Sequence, residues 1–179
     1  IAEKYQKFVD DKSLTNFKVA IAADLALEGI YFYNGFKFFY QLAARNKVAP
    51  VADIIKYIET DENTHLSFMI HLVNELFDVD DFEDRMILID TLTEATEQEI
   101  EWGVQTYGDR ILGVSVDSST AYPKYLANQR AKAVGLGVLY KGFNTNPYEY
   151  LESRKKGNFF ERTVTEYSQN TAVTGWDDF

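Results

Sequence analysis

The chain has 179 residues, no cysteine and a formal net charge of -10, with 46% hydrophobic and 26% charged residues. That balance predicts one globular domain with a sizeable core, excludes disulfides, thiolate metal sites and thiol nucleophiles, and disfavours nucleic acid or an anionic membrane as partner. No charge-free apolar run is long enough for a membrane span, no signal peptide is visible, and the lack of cysteine suits a reducing cytoplasm.

The first residue is Ile1 rather than Met, so the expectation is a processed or truncated product, or a start downstream of further disordered residues. From Leu14 to about Asn46 the residues Phe17, Ile21, Leu25, Phe32, Phe36 and Phe39 recur at helical spacing, which predicts one long amphipathic helix with Glu28 on its apolar stripe. Asn46, Lys47 and Pro50 stop that helix and start the next. From Val51 to Phe77 the residues Ile55, Ile58, Glu62, His65, Met69, Leu72 and Leu76 step by alternating threes and fours, placing all of them on one face. A third helix is expected from about Phe82 to Ile111 and a fourth from about Ser119 to Leu136, with Pro123 near its start. Short connections such as "DVDD" predict antiparallel neighbours. "NPYEYLESR" reads as one short helical turn, and from Phe160 to Phe179 the periodicity is gone. The fold class is therefore all-α, a helical bundle over residues 1–159 followed by a flexible tail, 160–179.

Glu62 and His65 form a Glu-x-x-His on the second helix, so the two side chains leave adjacent turns of one face with Cβ atoms about 5–6 Å apart, within reach of a single cation. Glu28 supplies a third ligand from the neighbouring helix. Two carboxylates on apolar stripes need compensation. No Lys or Arg falls on either stripe, and Arg45 and Lys56 lie near helix ends or off the apolar face, which makes a metal the simplest counter-charge. Oxygen-rich ligation with one imidazole favours iron or manganese over structural zinc. The bland alternative is that Glu62 and His65 pair with each other or with a hydroxyl.

The stretches "ALEGIYFYNGF", "IIKYIETDENTH", "TEQEIEW", "YLANQRAKAVGL", "NPYEYL" and "NFFERTVTEY" follow one another as in the C-terminal half of the class I ribonucleotide reductase small subunit. From about Leu14 the chain resembles that radical-generating subunit, a ferritin-like bundle around a dinuclear metal centre. The resemblance implies that Glu28 binds the second metal and that Glu62 and His65 are the ligands of the second Glu-x-x-His, the metal being iron first, with manganese or a mixed pair as alternatives. It implies that Asp61 hydrogen-bonds a histidine ligand of the other metal on the radical-transfer route, and that Phe32, Phe36 and Ile58 line the radical site and exclude water. It makes Tyr167 the tail tyrosine that relays the radical to the large subunit, Glu161 the tail glutamate before it, and "TGWDDF" the segment that docks there. The activity implied is the reduction of ribonucleotides to deoxyribonucleotides by a dimeric small subunit working with that large subunit.

The departures are as informative. The first carboxylate, the first Glu-x-x-His and the radical tyrosine of that family are missing, only 27 residues precede Glu28, and Thr60 stands where the family commonly has arginine. Half a site is present. The favoured expectation is a companion chain carrying the N-terminal half, so that this chain is inactive alone. The alternatives are completion by a second copy, a non-catalytic scaffold, and a ferritin-like oxidase or hydroxylase component that needs no tail tyrosine. Elsewhere, "GLGVLYKG" reads as a turn rather than a nucleotide loop, Glu94, Glu97 and Glu101 as a solvated face, Trp102 as packed inward, and Arg130 as the partner of a bundle carboxylate.

Overall fold

In the computed structural model, residues 1–111 and 114–153 are described, with side chains as far as Leu151. Their elements are all helices: α1 (Ala2–Asp10), α2 (Leu14–Gly29), α3 (Tyr33–Ala43), α4 (Ala49–Leu76), α5 (Phe82–Thr106), α6 (Val116–Ala133) and α7 (Glu149–Ser153). One compact unit runs from Ile1 to Tyr148, and α7 belongs to a second unit that starts at Glu149.

The centre of this unit is α2. Its small residues Ala20, Ala22, Ala23 and Ala26 and its larger Ile21 and Leu25 are all buried, so it is covered on several sides and is not amphipathic in the way its spacing predicts. α4 and α5 both pack on α2 rather than mainly on each other, which corrects the expectation that the short "DVDD" connection makes them neighbours. α6 packs on α5, and Leu66, Val73, Leu88, Leu92, Ala127 and Ala131 join the core from the three surrounding helices. At the connection, Asp81 accepts the Asp84 N–H at 3.0 Å and so caps α5, while Asp84 accepts the Asp78 N–H at 2.9 Å and meets Lys18 of α2 at 2.6 Å.

The predicted helix from Leu14 to Asn46 is two helices. Between Gly29 and Tyr33 the chain makes a turn in which the Tyr31 N–H reaches back five residues to the Ala26 carbonyl at 3.3 Å, and Phe32 takes a left-handed φ of 72°. A bulky aromatic residue in that region costs on the order of 1–3 kcal/mol, so other contacts must hold the break open. The core side of α4 also differs from the predicted stripe. Ala52, Glu59, Leu66, Met69 and Val73 are buried, whereas Ile58 and His65 are exposed and Glu62 lies at the boundary. A strict three-four repeat has a period of 3.5 residues and drifts around a straight helix of 3.6, so one end of a long stripe leaves the interface.

The buried Glu59 has its own cation, although no Lys or Arg is expected on either apolar stripe. Lys37 of α3, 1% exposed, meets it at 2.9 Å, and Tyr40 donates to its other oxygen at 2.7 Å. The helix α1, which the periodicity does not announce, lies against α2, and its Tyr5 hydroxyl donates to Asp24 one turn before Glu28. Gly135 and Gly137 have φ of 81° and 86°, the left-handed values of a turn, in agreement with that reading of the Gly-x-Gly.

Candidate metal centre

Glu28 leaves the last turn of α2, and Glu62 and His65 leave the middle of α4, which crosses it. The structure brings all three together: one ligand atom from each lies within 4.8 Å of the others, and no other such cluster occurs among the described residues. The His65 Nδ1 is 3.0 Å from a Glu62 oxygen and 3.4 Å from a Glu28 oxygen. The two carboxylates are partly buried, with side-chain exposures of 23% for Glu28 and 24% for Glu62, while the His65 side chain is 58% exposed. The cluster thus opens to one side of the bundle. The prediction that all three sit in a closed apolar seam is corrected, and with it the claim that burial alone demands a cation. Clustering carries the reading instead.

Two carboxylates so close cannot both ionise freely. Burial and a hydrogen bond to Glu62 push Glu28 up to about 7. The same hydrogen bond, now serving the charged form, holds Glu62 below its ordinary value, and Glu62 as acceptor raises His65. A cation replaces the shared proton in such a set, and two carboxylates with one imidazole suit iron or manganese. The residues present fit such a metal.

The other residues assigned by resemblance are distributed unevenly. Phe36 is buried and packs its ring 5.5 Å from that of Tyr33. Phe32 and Ile58 are exposed, at 55% and 40%, and Asp61 lies on the exposed side of α4. Tyr167, Glu161 and "TGWDDF" lie outside the described residues. Trp102, expected to pack inward, is exposed and touches Tyr107 edge-on at 5.9 Å. In the solvated acidic stretch, Glu94 pairs with Lys4 at 2.7 Å. Among the described residues Arg130 answers no carboxylate. Its Nε donates to the Gly29 carbonyl at 2.9 Å and its guanidinium lies over Tyr33, 5.5 Å from the ring centre.

Sequence reasoning passed over Glu99. It is 4% exposed and accepts the Asn34 N–H at 3.3 Å and the Phe32 N–H as well. Burial pushes it up to about 7 against those two hydrogen bonds. Its helix neighbours are acidic and polar, so only the structure separates it from the solvated face around it.

An all-helical bundle that brings two carboxylates and one imidazole together from two helices carries half of the ligand set found in ferritin-like dimetal-carboxylate proteins. The family description "Ribonucleotide reductase, small chain" matches residues 1–147, and the chain belongs to that family. It is 38% identical to the ribonucleoside-diphosphate reductase subunit beta of Treponema pallidum, over 97% of this chain and 52% of the relative. It is 30% identical to that of Halalkalibacterium halodurans, over 99% of this chain and 54% of the relative. Among solved structures, the ribonucleotide reductase R2 subunit from Clostridium botulinum superposes with a TM-score of 0.79 at 37% identity, over 85% of this chain and 49% of that one. The chain spans about half the length of the relatives it matches.

Proposed function

We propose that this chain forms one half of the dinuclear metal centre of a ribonucleoside-diphosphate reductase small subunit, with Glu28, Glu62 and His65 holding one metal. The observation that carries this reading is the convergence of those three ligand atoms within 4.8 Å in a chain of this family. When bound, the metal pair supplies the one-electron oxidising power that starts ribonucleotide reduction.

The chain's own residues have definable tasks. Glu28 and Glu62 share a proton without a cation and give it up when one binds. His65 turns its Nδ1 towards both carboxylates. Phe36 walls the inner side of the neighbouring helix against water. The remaining ligands come from further sequence, in this reading a companion chain carrying the N-terminal half. Support comes from the open side of α4, where Ile54, Ile58 and Phe68, all exposed, flank Asp61 and His65 at helical spacing. Apolar groups around half a ligand set call for cover. In this reading Asp61, exposed on that side of α4, hydrogen-bonds a histidine brought by the companion, and Tyr167, with Glu161 before it in the tail, relays the radical to the large subunit.

Metal analysis of this chain, alone and with a polypeptide bearing a carboxylate helix and a first Glu-x-x-His, tests the proposal. Two metals per pair are expected. A pair that stays metal-free overturns it.

A further inference from the structure

We infer that Glu99 and Arg130 are positioning residues for Glu28, clamping the two ends of the helix break that follows it; this rests on the reading of Glu28 as a metal ligand. Glu28 is the penultimate residue of α2, and the break begins two residues later. A straight helix through this region would satisfy its own backbone, whereas the break leaves carbonyls at the end of α2 and N–H groups at the start of α3 without helical partners. No side chain of α3's own cap residue, Phe32, serves those donors.

Two side chains from other helices take their place. Glu99 of α5 accepts the N–H groups of Phe32 and Asn34 at the start of α3. Arg130 of α6 donates to the carbonyl of Gly29, the last residue of α2, at 2.9 Å. A carboxyl group thus sits at a helix N-terminus and a guanidinium at a helix C-terminus, the arrangement that both helix dipoles favour. Gly29 permits the approach, because a Cβ there would lie 3.1 Å from the Arg130 Nε and 3.1 Å from a Leu66 methyl carbon. Without these two groups the strained φ of 72° at Phe32 has less to hold it, and the backbone carrying Glu28 towards His65, now 3.4 Å away, is free to relax.

The test uses the full chain and cobalt(II) alone as probe, with affinity read from visible absorption and amide exchange followed at Phe32 and Asn34. Glu99→Ala and Arg130→Met are each expected to weaken cobalt binding roughly tenfold, as loss of an outer support for a ligand does. Glu99→Ala should also speed exchange of the two amides, and Glu99→Gln, whose amide oxygen still accepts both N–H groups, should restore both readouts. Unchanged exchange in Glu99→Ala overturns the clamp. Faster exchange with unchanged cobalt affinity overturns the positioning role, and so does unchanged affinity in Arg130→Met if Glu99→Ala fails to fold. Glu28→Ala keeps the two levels apart: if it binds cobalt like the unmodified chain, the ligand reading has failed, whatever the amides do.

Discussion

Lys37 on α3 meets Glu59 on α4 at 2.9 Å with its ammonium out of solvent, between the rings of Tyr40 and Tyr122 at 5.3 and 5.5 Å. Removing one member of such a pair strands the other charge, whereas removing both in favour of apolar groups is often neutral. Lys37→Met is therefore expected to lower unfolding free energy by about 3–5 kcal/mol. The double variant Lys37→Met with Glu59→Leu should recover most of that, less about 1 kcal/mol for the lost Tyr40 hydrogen bond. Urea unfolding decides it. A single variant as stable as the parent would mean the pair is not dry.

Glu99 gives the folded state a pH dependence of definite sign. Its folded value of about 7 lies above its ordinary 4.5, so between those limits the folded chain holds a proton that the unfolded chain has released. Stability from this group is complete below the lower limit and falls as pH rises through the window, by roughly 3 kcal/mol in total. Glu28 has a similar slope, which cancels in a comparison with Glu99→Gln. The variant should match the parent near the lower limit and exceed it above the upper one, read as thermal midpoints. A constant difference across that range would show that burial does not shift Glu99.

Asn128 is fully buried, and its amide makes four hydrogen bonds to the loop after α6: to the carbonyls of Tyr140 and Phe143 at 2.8 and 2.9 Å, and from the N–H groups of Leu139 and Tyr140 at 3.0 and 2.8 Å. Asn128→Ala strands several of them at about 1–3 kcal/mol each. Its predicted result is a large drop in thermal midpoint, with proteolytic cleavage appearing first between Leu136 and Phe143. An intact loop in that variant would remove Asn128 as its organiser.

What the sequence discloses follows from the range of each signal. Glu62 and His65 are legible because their spacing is fixed by one helix, and Glu28 because its helix carries it on a strong apolar repeat. The break at Ile30–Phe32 is not legible in the same way. No proline marks it, and the apolar spacing runs straight through Phe32 and Phe36, while the side chains that bond its two ends, Glu99 and Arg130, are 65 and 101 residues from the atoms they bond. Lys37 escaped for a related reason, since a lysine reads as surface until its partner on another helix is known. Openness around His65 depends on how far α4 drifts past α2, and that is set by packing rather than by the repeat.

Tyr167 is assigned from resemblance to the relay of the radical to the large subunit. Tyr167→Phe removes one hydroxyl and is expected to leave metal loading intact while abolishing turnover of the assembled enzyme. Metal content and turnover, measured on the same preparation, separate a relay from a structural role, and normal turnover would withdraw the assignment.

The chain contains only two histidines, His65 and His71, both on α4 and both exposed, so its imidazole NMR spectrum is simple enough to test the central claim directly. With substoichiometric manganese(II), the account predicts that the His65 ring resonances broaden first and His71 much less, and that Glu62→Ala removes the difference. Equal broadening of both rings, or none at His65, would contradict the assignment of Glu28, Glu62 and His65 as a metal site.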